Sequence, residues 1–148
     1  MAVRGLEIRT ATAGDATGLA TLLAEAGQIV DASAFTERLA ALRQASGTAL
    51  VAIQWGPPIG VLVMHWYQTL EADCPVAQIT TLLVGAEDRR RGIGRLLIKA
   101  AAQAARMAGC GELEVVTVSG VTSVQNFCRA NGFTETGPRF IRLLRKQV

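Results

Sequence analysis

Residues 76–118 constrain this chain more than any other stretch. Val76–Val84 is rich in Thr, Ile, Leu and Val and reads as a strand. Four residues later comes Arg89-Arg90-Arg91-Gly92-Ile93-Gly94-Arg95. From there Ile93, Leu96, Leu97, Ala100, Ala101, Ala104, Met107 and Ala108 recur at i, i+3, i+4, i+7 spacing. That period predicts a long amphipathic helix beginning at the second glycine, and Gly109 stops it. Leu113–Val118 reads as a further strand. Strand, helix, strand in that order calls for a parallel pair joined by a right-handed crossover.

The flanks read as antiparallel structure. Leu6–Thr10 alternates like a first strand. Thr12 caps a helix, with Asp15 three residues on as an acidic capping-box partner. Leu19, Leu22, Leu23 and Ala26 follow at helical spacing up to Gly27. A second helix starts near Ser33, with Phe35, Leu39 and Leu42 on one face. Ala49–Trp55 and Ile59–Gln68 are strands separated by Gly56-Pro57-Pro58, a turn no helix crosses. Residues 69–75 form a polar loop. A short helix over Ser123–Asn131 ends at Gly132, and Phe133–Thr136 and Phe140–Arg145 read as two last strands. The expected fold is α/β, a mixed and mostly antiparallel sheet with a central parallel βαβ unit, in a single domain over 1–148.

Half of the 148 residues are hydrophobic and 18% are charged, which excludes disorder. Cys74, Cys110 and Cys128 are odd in number and have no CxxC spacing, so no disulfide framework or cysteine-rich zinc module is expected. His65 is the only histidine, which excludes sites needing two. The first ten residues lack an apolar core, so no secretory signal is expected and the cytoplasm is the expected location. No apolar run nears the roughly 18 residues of a membrane helix. Charge is uneven. Residues 1–88 carry four basic and nine acidic side chains, net −5, and residues 89–148 carry eleven and three, net +8. A basic second half points to an anionic partner: a phosphorylated cofactor, an acidic membrane surface or nucleic acid. The last fits poorly, because no aromatic–basic interleaving of the RNA-binding type occurs.

The Arg89–Arg95 segment is where chemistry is expected. The first N–H groups of a helix have no intrahelical partner and carry the positive end of its dipole. Glycines let the chain approach a ligand, and arginines add charge-assisted bonds to phosphate oxygens. The combination is a phosphate cradle. It is not a Walker loop, since no Gly-Lys-Ser/Thr follows. It is not a dinucleotide-binding fingerprint either, since Leu97 stands where the third glycine is needed.

LLVGAEDRRRGIGRLLIKAAAQAARMAGCGELEV resembles the acetyl-CoA-binding segment of the GNAT-type N-acetyltransferases, and NFCRANGF resembles their FY-xxx-GF segment. The resemblance implies a fold whose fourth and fifth strands splay apart around acetyl-CoA. Leu82, Leu83 and Val84 would offer backbone groups to the pantetheine arm and thioester. Arg89, Arg90, Arg91, Gly92, Ile93, Gly94 and Arg95 would wrap the pyrophosphate. It implies transfer of the acetyl group to a primary amine, of a small molecule or a peptide, by direct attack in a ternary complex. A homodimer is among the expected states. The alternative is a module that binds CoA with little or no turnover.

Three positions depart from the family pattern. Cys128 replaces a tyrosine that can protonate the departing thiolate, Val121 replaces an asparagine, and Gln78 replaces a glutamate base early in the fourth strand. Cys128 is the candidate catalytic residue, as a weak acid, and also fits as a small packed side chain. His65, Glu71 and Asp73 are other candidate bases or relays. Glu114 is on the neighbouring strand, on a face that only the register decides. Trp55, Trp66, Tyr67 and Phe35 fit either an acceptor pocket or the core. Arg139, Arg142, Arg145 and Lys146 fit a charged edge strand.

Overall fold

The computed structural model describes residues 4–116, 122–137, 140 and 142–144. They fall into two compact units, one within Met1–Val116 and one within Thr117–Val148.

The first unit is a five-stranded sheet in chain order: β1 (Glu7–Thr10), β2 (Gly47–Ile53), β3 (Pro58–Tyr67), β4 (Val76–Val84) and β5 (Glu112–Val115). The first four pair antiparallel and β5 joins β4 in parallel, as the strand–helix–strand order demands. Helices α1 (Ala16–Glu25) and α2 (Ala32–Gln44) precede β2, and α3 (Ile93–Met107) links β4 to β5. Register assigns the faces. Val51 pairs with Val61 and Ala49 with Val63, and these form one cluster with Leu19, Leu22 and Leu39. Leu62, Met64 and Ile79 point to the other face and are fully buried, as are Ile93 and Leu97 of α3. At Gly60 an added Cβ would lie 3.2 Å from both Ile93 and Leu97, so that helix packs directly on bare backbone. Two apolar layers thus clamp the sheet.

Local chemistry sets the helix ends. Thr12 and Asp15 form the expected capping box, and Asp15 is buried. Arg9 grips the same carboxylate with two bonds of 2.8 and 2.9 Å, and the Thr12 N–H donates to it at 2.8 Å. At the C-terminus of α3, Cys110 N–H reaches Ala105 O and Gly109 N–H reaches Arg106 O, closing a left-handed turn at Gly109 (φ +85°).

In the second unit α4 (Thr122–Ala130) ends in the same way, at Gly132, and Arg129 pairs with Glu135 at 3.2 Å. Here one expectation needs correction. Phe133–Thr136 carries no strand. A strand needs a partner edge, and its expected neighbour, Phe140–Arg145, falls partly outside the described residues. So do Val118, Val121, Arg139, Arg145 and Lys146. Among the described residues no helix is long and apolar enough to cross a membrane.

Candidate functional site: an open strand edge beside an uncapped helix

β4 changes character at its middle. It pairs with β5 only from Val76↔Glu112 to Ile79↔Val115. On the β3 side the register shifts between Val63 and Met64, which pair with Thr81 and Ile79. Thr80 is therefore the extra residue of a bulge. Among the described residues no strand faces the edge of Thr80–Val84. Leu82, Leu83 and Val84 lie on this open half, and their free edge groups need a partner. The other end of the gap is pinned shut: Gly111 N–H donates to Pro75 O at 2.9 Å, tying the starts of β4 and β5 together.

The open edge runs directly into the arginine loop. After a single 3-10 turn, Ala86–Asp88, the backbone enters the left-handed region at Arg90 (φ +65°) and again at Gly92 (φ +80°). A left-handed arginine is sterically disfavoured, and such strain concentrates where a loop is shaped for a ligand. Gly92 is the N-cap of α3 and has no side-chain cap. The first bond of the helix is Leu96 N–H to Gly92 O, so the N–H groups of Ile93, Gly94 and Arg95 precede the ladder. A Cβ on Gly92 would meet nothing within 4 Å, so the cap position itself is uncrowded. Arg89, Arg90 and Arg95 are exposed around it.

Arg91 differs from its neighbours. Its guanidinium donates to Asp88 Oδ1 at 2.7 Å and to Gln54 Oε1 at 2.6 Å. It braces the loop against the end of β2. Two of its five N–H donors are used in this brace. The partner Gln54 is distant in sequence, so spacing alone could not find it.

A polar cluster spans β3, β4 and β5 along the paired half of β4. Tyr67 Oη donates to Glu114 Oε1 at 2.8 Å, and Gln78 Nε2 donates to the same oxygen at 3.2 Å. Register places Gln78 opposite Glu114, His65 opposite Gln78, and Glu112 beside them on the same face. The bond to Glu114 holds the Tyr67 phenol above its ordinary value, because ionisation would set two negative charges together. From sequence Tyr67 is a core or pocket aromatic. The signal that finds it is the strand register, which sequence does not supply.

The remaining candidates are dispersed. Trp55 is exposed at the β2–β3 turn with its ring against Gly5, at the opposite end of β3 from Tyr67. Trp66 points to the face opposite Tyr67, and Phe35 lies on α2, so these aromatics form no common pocket. Glu71 and Asp73 are exposed in the loop before β4. Cys128 is half-buried on α4, and burial pushes its thiol above the ordinary range, with Arg129 opposing this. That direction does not favour a nucleophilic thiolate.

Solved structures share this fold. A transcriptional regulator from Bacillus halodurans C-125 has a TM-score of 0.84 at 19% identity, covering 94% of this chain and 99% of that one. Aminoglycoside N-acetyltransferase AAC(6')-Iy in complex with CoA has a TM-score of 0.82 at 22% identity, covering 99% and 100%. Aminoglycoside acetyltransferase meta-AAC0020 from an uncultured soil metagenomic sample, in complex with sisomicin, has 0.79 at 24% identity, covering 95% and 97%. No curated protein matches the sequence. The family model described as "Acetyltransferase (GNAT) family" matches residues 17–133, and the chain therefore belongs to the GNAT acetyltransferase family.

Proposed function

We propose that the chain, acting as one acetyltransferase domain over 1–148, moves the acetyl group of acetyl-CoA to a primary amine by direct attack in a ternary complex. The observation that carries this reading is the uncapped α3 N-terminus. It presents N–H groups of Ile93, Gly94 and Arg95 behind a left-handed Gly92, at the end of an open strand edge. A pyrophosphate suits that cradle in charge and hydrogen bonding. Exposed Arg89, Arg90 and Arg95 add charge to it, while Arg91 contributes backbone and bracing. The pantetheine arm is an extended chain of amides, and the edge of Leu82–Val84 offers it strand-like bonds. An N–H on that edge polarises the thioester carbonyl. The neighbours that hold CoA and sisomicin favour the same cofactor and a cationic small-molecule acceptor.

The step is simple. A neutral amine attacks the carbonyl carbon, the C–S bond breaks, and CoA leaves as thiolate. Thiols have ordinary values near 8.5, so the leaving group needs little acid assistance. Thiol release from acetyl-CoA across aminoglycosides, polyamines and peptides tests the activity. Calorimetry with CoA tests the site: Gly94→Trp fills the cradle and abolishes binding in a folded protein. Unchanged CoA affinity in that variant would refute the site.

A further inference from the structure

Gln78 carries an amide, which cannot accept a proton usefully. The structure supplies a carboxylate one strand away. Glu114 sits directly across the β4–β5 ladder from Gln78, one residue pair before that ladder stops at Ile79↔Val115. It is therefore at the mouth of the gap, beside the open half of β4. Two neutral donors, Tyr67 Oη and Gln78 Nε2, both bond to Oε1. Their effect is to fix the plane of the carboxylate and to leave Oε2 for another donor. An acetyl acceptor arrives as an ammonium ion, which is such a donor.

We infer that Glu114 binds the acceptor ammonium through Oε2 and takes its proton. This rests on the acetyl-transfer reading above and deepens it. One proton passes from R–NH₃⁺ to the Glu114 carboxylate and on to water. The freed lone pair forms the N–C bond and the C–S bond breaks. The second N–H proton is released as the amide forms and ends on the CoA thiolate. Products are the N-acetyl amine, CoA thiol and one proton. Tyr67 and Gln78 are positioning residues, since they act through Glu114. Among the described strand residues, the charged or titratable groups near Glu114 on this face are Tyr67 and His65 on β3 and Glu112 on β5, while Glu7 and Arg9 share the face on β1 at the far edge of the sheet.

The experiment compares wild type with Glu114→Gln, Glu112→Gln and Tyr67→Phe. Its readouts are pH–rate profiles for two amines of different basicity, calorimetry with CoA, and calorimetry with the same amines on the CoA-bound protein. Wild type shows an acid-limb inflection in kcat/KM at one pH for both amines. Glu114→Gln removes that inflection, lowers kcat/KM by roughly 10²-fold or more, weakens amine binding and leaves CoA affinity unchanged. Glu112→Gln keeps the wild-type profile. Tyr67→Phe keeps the inflection and loses less activity. Tyr67 is the only tyrosine, so tyrosinate absorbance reports the cluster without turnover, and its titration moves to lower pH in Glu114→Gln. An intact rate and inflection in Glu114→Gln, with wild type active, overturns the assignment alone. A wild type that binds CoA yet neither binds nor acetylates any amine overturns this inference and the acetyl-transfer reading together.

Discussion

Replacing Arg91 tests whether the cradle is held in shape or merely charged. Arg91 makes two short bonds, to Asp88 and Gln54, and truncation removes both. The side chains of Arg91 and Asp88 keep 35% and 23% of their exposure, so the brace deserves a discounted value of about 1.5 kcal/mol. Opposing it is the left-handed Arg90, whose conformation costs roughly 1–2 kcal/mol. The two are comparable. Without the brace the strained loop relaxes, and the binding-competent population falls about tenfold, since about 1.4 kcal/mol is a factor of ten. Arg91→Ala is therefore expected to weaken CoA binding about tenfold, and Gln54→Ala to weaken it by a smaller factor. Ionic strength separates this from direct contact. Losses in Arg90→Ala or Arg95→Ala shrink as salt screens the phosphate, whereas the Arg91→Ala loss persists, being conformational. Calorimetry at low and high salt measures both. An Arg91→Ala loss that fades with salt as the Arg95→Ala loss does would refute the bracing argument.

Two further outcomes are expected. The bonds from Arg9, then the Thr12 N–H, hold the Asp15 carboxyl below the usual carboxylate range. Its stabilisation is thus complete above the unfolded value of about 3.9 and is lost as pH falls through the lower folded one. Asp15→Asn should lower Tm by roughly 5 °C at pH 7, and the difference should shrink toward pH 3; a constant difference in thermal melts over that range would contradict the linkage. Cys128→Ala should lower Tm and leave kcat within about twofold, as packing requires, whereas a loss of roughly 10²-fold would assign the thiol as the acid for the leaving sulfur.

The parts of the fold that were legible share one property: their signal is local. Val76–Val84 matches its strand because β-branched and leucine residues fill it. The helix after it was legible from an unbroken apolar stripe, and starts one residue earlier than expected because Gly92 takes the cap. The glycines and arginines at the start of α3 are local marks of the same kind. What stayed hidden depends on register or on distant partners. The bulge at Thr80 has no compositional mark, since threonine suits a regular strand equally well. Glu114 and Gln78 are 36 residues apart and meet only once β5 docks in one particular alignment. Arg91 looked like its neighbours until Gln54, 37 residues upstream, was in place.

The order of the sheet has a consequence for synthesis. Each strand from β1 to β4 lays itself against the strand made just before it, so the sheet widens at one edge as the chain leaves the ribosome. Synthesis delivers the chain in that direction at about 5–20 residues per second. β5 cannot follow until α3 has been made and has crossed the sheet. A nascent chain therefore passes through a stage with four strands and the whole edge of β4 bare. Such an edge is a template for other chains. Docking of Glu112–Val115 covers half of that edge and brings Glu114 to Gln78 in the same movement. A single late pairing thus both halves the bare edge and assembles the carboxylate cluster.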